Sequence, residues 1–152
     1  QAKTMPNSAH DPGRPQRLIW SDSEVLAMRQ VSTQVDIVFA AAAIELRTSP
    51  QRPDDETGPA QPVSPLFGHV RHLVATLGGA EAIGLRDCLG RIRSAHISRG
   101  GSRLVGVDVP CRLSGDLEID IDFANGAAYR SRVETIDFHF TGKADFTESR
   151  AC

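Results

Sequence analysis

The chain has 152 residues, of which 40% are hydrophobic and 24% charged, with 17 Lys and Arg against 19 Asp and Glu. These figures describe one soluble globular domain and exclude a collagen-like chain, a coiled coil, a disulfide-dense miniprotein and a fully disordered chain. A net charge of −2 offers no Lys/Arg excess to neutralise phosphates, so nucleic acid is not an expected partner.

The longest apolar run, Ile37 to Ile44, is half alanine. It falls far short of the ~20 residues of a membrane-spanning helix, and no membrane partner is expected. Residues 1–15 lack the apolar segment of a signal peptide. The cysteines are Cys88, Cys111 and Cys152. Their odd number and wide spacing argue against a disulfide framework and for a reducing, cytoplasmic setting. Whether Cys88 and Cys111 pair is a question of geometry that spacing leaves open.

Proline maps the chain. Pro6, Pro12 and Pro15 lie in the first segment, five more lie in 49–65, and Pro110 stands alone. Proline fixes φ and removes a backbone donor, so its clusters mark chain outside helices and ladders. Residues 1–15 read as a flexible tail. Residues 16–152 read as a single β-rich domain interrupted by a long Pro-rich loop at 49–65.

Within 17–47, Ser21 and Glu24 have capping-box spacing, which suits a short helix near 22–30. Leu18, Trp20 and Val25 to Val31 also suit extended chain. The run QVDIVF at 34–39 is rich in β-branched residues and reads as a strand. The alanines at 40–43 favour a helix by propensity but also suit a strand packed closely under another layer. Two strands are expected here. Further on, Leu66, Val70, Leu73, Val74 and Leu77 recur at helical spacing, with Ser64–Pro65 as a start and Gly78–Gly79 as a stop. This pattern favours one short helix over 65–77. The competing reading is a strand in which Val70, His72, Val74 and Thr76 share a face.

From residue 91 onward the signal is β. RIRSAHIS and SRLVGVDV flank the turn Arg99–Gly100–Gly101. Val105, Val107 and Val109 share a face at period two, and Pro110 ends that strand or places it at an edge. In 116–123, Leu117, Ile119, Ile121 and Phe123 alternate with Asp116, Glu118, Asp120 and Asp122, giving one apolar and one acidic face. A hairpin follows at Asn125–Gly126. A two-residue turn would set Ile121 against Arg130 and mix the faces. A three-residue turn, Ala124–Asn125–Gly126, pairs Phe123 with Ala127, Ile121 with Tyr129, Asp120 with Arg130, Glu118 with Arg132 and Leu117 with Val133. The three-residue turn is expected. A further strand follows near 134–141, where Ile136, Phe138 and Phe140 share a face. The inward face switches after Val133, which implies a turn or bulge there. Gly142 and Phe146 suggest a last bend and a short closing strand or tail.

No residue set completes a known chemistry. His69 and His72 have helical i, i+3 spacing but no further ligand, and read as two surface histidines. Cys88, Cys111 and His96 lack the paired spacing of a zinc site. Cys111 as a nucleophile would need His96 or His139 as its base. Neither a Gly-rich phosphate loop nor a GxSxG, HExxH or EF-hand motif is present. No metal or cofactor is therefore assigned.

The sequence thus points to a small, mainly β domain, an antiparallel sandwich or partly closed barrel, with one short helix at 65–77. Its leading functional reading is a non-enzymatic interaction module of the bacterial immunity or inhibitor type. Asp116, Glu118, Asp120 and Asp122 would cover a basic protein partner. One alternative is a ligand-binding barrel or hydrolase-like enzyme using His96, His139 and Asp137 in a cavity mouth. Another is a structural subunit that oligomerises through a sheet edge.

Overall fold

A computed structural model describes residues 16–46 and 65–149. The tail at 1–15, Cys152 and all of the 49–65 loop except Pro65 lie outside the described residues. Nine strands follow in chain order: β1 (Gln16–Val31), β2 (Gln34–Leu46), β3 (Leu66–Val70), β4 (Leu73–Gly78), β5 (Gly90–Arg99), β6 (Ser102–Arg103), β7 (Cys111–Phe123), β8 (Ala128–Phe140) and β9 (Thr147–Glu148). Six of them form an antiparallel barrel in the order β1-β5-β7-β8-β4-β2, closed by pairing of β2 with β1. The fold is mainly β and barrel-like, and no helix occurs among the described residues.

The two strands expected over 17–47 are β1 and β2, joined by a tight turn in which Ser32 has φ +61°. The capping-box pair Ser21 and Glu24 starts no helix. Instead β1 bulges against β2 between Ile19 and Glu24. Ser23 is wholly buried at this bulge. Its hydroxyl donates to the Ile19 carbonyl at 2.7 Å and accepts the Ala43 amide at 2.9 Å. Alanines 40–43 lie in β2 despite their helical propensity. Ala42 and Ala43 are buried in β2 with β1 and β3 as its in-sheet neighbours, so ladder pairing and burial override the helical propensity.

The helix expected over 65–77 is corrected to two strands, β3 and β4. Both pair with the same edge of β2, in one continuous register interrupted only at Arg71–His72. His72 takes φ +66° there. The carbonyl of His72 accepts the Thr141 amide, and the Arg71 amide donates to the Ala144 carbonyl. The buried face shifts from Val70 to Leu73 across this break. A shift of one residue between two period-two runs reproduces the spacing of a helical stripe. On β2 the buried set shifts likewise, from Phe39 to Ala42, level with the β1 bulge.

The strand expected over 102–109 is also corrected. The chain leaves the sheet after Arg103, and residues 104–109 cross the seam between β1 and β5. Val107 and Val109 are buried in that seam while Val105 is 91% exposed, so the three valines do not share a buried face. The Val109–Pro110 peptide is cis.

The β7–β8 hairpin has the three-residue turn. Ile121 pairs with Tyr129, Asp120 with Arg130, Glu118 with Arg132 and Leu117 with Val133. The Phe123 amide donates to the Ala127 carbonyl at 2.8 Å, and Gly126 has φ +93°, the left-handed conformation that glycine adopts freely. The segment expected as a separate strand at 134–141 is the second half of β8. The buried face does pass from Val133 to Ile136, and the bulge lies opposite it. There Gly115 and Asp116 of β7 face Glu134 alone. The barrel interior is filled by Phe123, Phe138 and a set of Ile and Leu side chains with almost no exposure. The closing strand after Gly142 is β9, paired to β3.

Candidate functional site

The outer face of β5, β7 and β8 carries the four acids singled out by alternation. On β7, Leu117, Ile119, Ile121 and Phe123 are buried, so Asp116, Glu118, Asp120 and Asp122 must point away from the core. Asp116, Glu118 and Asp122 are exposed and Asp120 is partly covered. The three-residue turn decides what stands beside them. Asp120 lies opposite Arg130 on β8 and His96 on β5. Its Oδ2 is 3.2 Å from Arg130 Nε and 3.7 Å from His96 Nε2. Glu118 lies opposite Arg132 and Ser98. Asp122 faces Ser94, whose hydroxyl donates to it at 3.4 Å. Asp116, at the β7 bulge, accepts the Gly100 amide through its backbone carbonyl.

These partners change the electrostatics of the strip. The Arg130 side chain is 73% exposed, so its pair with Asp120 contributes at most about 1 kcal/mol in water. The pair nevertheless sets a guanidinium and an imidazole against one carboxylate. Glu118, Asp120, His96, Ser98 and Arg130 together line a shallow cleft of ≈ 260 Å³. Glu118, Asp122 and Asp116 have no ion pair within 4 Å among the described residues. The face is an acidic strand flanked by a basic row, and its unpaired acids lie either side of Asp120. The alternation in the sequence locates the acids and the turn locates Arg130. His96 enters through the β5–β7 register, for which the sequence carries no comparable signal.

Other candidates do not meet. Asp137 and His139 sit on the second half of β8, with Asp137 Oδ2 3.8 Å from His139 Nδ1. Asp137 is seven residues along β8 from Arg130, about 23 Å of strand, so His96 does not join them. His69 lies on β3, and His72 lies in the break before β4, where Nδ1 meets the Lys143 carbonyl at 2.8 Å. Cys88 and Cys111 are both free thiols. Burial pushes the Cys88 thiol above its ordinary pKa, and Asp87 adds to this. Burial, then Asp108 and Asp137, do the same to Cys111. Both surroundings oppose the thiolate that nucleophilic or metal chemistry requires. Among the described residues no group of three His, Cys, Asp or Glu is placed to hold a metal ion. None forms a helix long and apolar enough to cross a membrane.

Comparison of the chain with protein-family models, curated proteins and solved structures finds no match.

Proposed function

We propose that this domain is a non-enzymatic interaction module, of the bacterial immunity or inhibitor kind, that covers a basic protein partner. The acidic row of β7 is the docking face. The observation that carries this reading is the outward set of Asp116, Glu118, Asp120 and Asp122 on a strand whose other side is a filled core. A rigid two-faced strand holds the four carboxylates at fixed spacing, which steers a cationic surface and sets its register. Asp120 is already engaged by Arg130 and His96, so it shapes the face, while Glu118 and Asp122 are open to the partner's cations.

The test is a pull-down with the full chain from lysate of the source organism, across a salt series. Asp120→Lys/Asp122→Lys serves as the second bait, after circular dichroism confirms that it folds. The expected result is a basic protein retained at low salt, released as ionic strength rises, and absent from the reversed bait. A partner held equally by both baits, or indifferent to salt, would remove the proposal.

A further inference from the structure

The segment that follows β6 walls a cleft of ≈ 450 Å³. Residues 94–97 of β5 form one wall and 103–107 the other, with Arg17, Leu18 and Trp20 of β1 completing the lining. Backbone bonds hold these walls in place: the Leu104 amide donates to the Ile97 carbonyl, and the Leu18 amide to the Val107 carbonyl. Leu18, Ala95, Leu104 and Val107 make much of the lining apolar. Trp20 also packs on the core, its ring 6.2 Å from that of Phe39 and 6.1 Å from that of Phe138. The formal charge in the lining is of one sign. Arg17 and Arg103 contribute to it and no carboxylate does. Asp108, the backbone bridge partner of Arg17, lies outside the lining. Neither arginine has an ion pair within 4 Å among the described residues. Arg17 is half-buried, and its buried Nε has no hydrogen-bond partner. Gly106 makes room for it: an added Cβ would stand 2.9 Å from Arg17 Nε and 3.0 Å from Cζ, so the guanidinium lies directly against that glycine.

We propose that this cleft binds a small amphiphilic anion, an organic carboxylate carrying an apolar chain. Its volume falls in the range of about 300–1,000 Å³ over which clefts hold small molecules, and its make-up is of that kind, an apolar lining with a few polar groups that fix orientation. A half-buried guanidinium without a counter-ion has lost part of its hydration and gained no partner, so an incoming anion restores what burial removed. Guanidinium groups match a carboxylate in a planar fork, and Arg17 and Arg103 supply them. The apolar lining favours a carboxylate over a phosphate, because one charge is desolvated at less cost than two. The chain of the ligand would cover Leu18, Trp20 and Leu104. The site is separate from the four acids of β7, and only His96 lines both this cleft and the shallow one beside Asp120.

Trp20 is the sole tryptophan of the chain and reports on the cleft directly. The probe is octanoate, with octanamide as its uncharged counterpart and acetate and inorganic phosphate as anions without a chain. The expected result is a saturable change in Trp20 emission with octanoate, accompanied by amide chemical-shift changes confined to 94–97, 103–107 and the neighbourhood of Trp20. Octanamide should bind at least about tenfold more weakly, since it forgoes the charge-assisted bonds. Arg17→Gln and Arg103→Glu should each weaken octanoate at least about tenfold and leave octanamide unchanged. Arg103 is exposed, so its variant keeps the test sound even where Arg17→Gln disturbs folding. Gly106→Ala retains both charges but pushes the Arg17 guanidinium aside, and should weaken octanoate in the same selective way. Absence of both the Trp20 and the amide response to octanoate would overturn the proposal. Equal affinity for octanoate and octanamide would do so too, because charge would then play no part. Binding that both arginine variants leave unchanged would show adsorption elsewhere, and acetate or phosphate binding as tightly as octanoate would show a bare-anion site; either result overturns the amphiphilic ligand.

Discussion

Single residues set the limits of this barrel at three buried positions. Ser23 satisfies a backbone carbonyl and a backbone amide at the β1 bulge with one hydroxyl. Ser23→Ala leaves the buried Ala43 amide unpaired, a cost of about 1–3 kcal/mol. Urea unfolding should show this as a lower midpoint with an unchanged slope. Cys88 and Tyr129 give the alkaline limit. Burial raises both groups' pKa above ordinary values, opposed at Tyr129 by a hydrogen bond with Ser131. The folded state therefore keeps protons that the unfolded chain releases, and stability falls as pH rises from about 8.5, the thiol's unfolded value. The contribution is fully present below that pH and is lost as pH rises through the folded value. Cys88→Ala removes one such group, so its stability should decline less steeply between pH 8 and 10 than that of the wild type. Equal slopes would show that Cys88 does not titrate differently on folding. At this scale the sequence was legible where alternation was clean, as along 117–123. Ser23 was hidden because it lies between Ser21 and Glu24, whose spacing looks like a helix cap, and only the bulge reveals its role.

At the scale of elements, register was more legible than element type. The β7–β8 pairing follows from keeping arginines off the apolar face, a requirement that decides between two turns. The segment 66–78 gave no such decision, because its two strands change face at Arg71–His72 and no glycine or proline marks that break. The valines at 105–109 misled for the opposite reason: their alternation is real, but the chain has already left the sheet. The short outer ladder depends on one close approach. A Cβ on Gly68 would meet the backbone carbonyl of Thr147 and lie 2.6 Å from the Phe146 ring. Gly68→Ala should therefore lift β9 from β3 while the six-stranded barrel persists. The amide of Ser149, which bonds the Phe67 carbonyl, should lose its exchange protection, and those of Ile119 and Ile121 should keep theirs. Retention of the Ser149 protection would show that β9 yields without detaching.

For the whole molecule, closure of the barrel is uneven, and this has a consequence for its dynamics. β7 and β8 are joined along nearly their full length over a buried face that includes Ile119, Ile121 and Phe123. β1 and β5 share two residue pairs, and the bridging segment adds backbone bonds at Gln16, Leu18 and Ile97 with the burial of Val107 and Val109. Releasing that segment exposes two valines and breaks three backbone bonds, leaving every other ladder of the barrel intact. Burying a valine is worth about 1.5–3 kcal/mol, so this opening costs only part of the free energy of global unfolding. Native-state hydrogen exchange should divide the molecule accordingly. The amides of Leu18, Leu104 and Val109 should exchange together, at least about tenfold faster than those of β7 and β8. Their exchange should be insensitive to low denaturant, because little surface is uncovered, while that of β7 and β8 tracks global stability. A single denaturant dependence for both groups would mean that the seam opens only when the whole barrel unfolds.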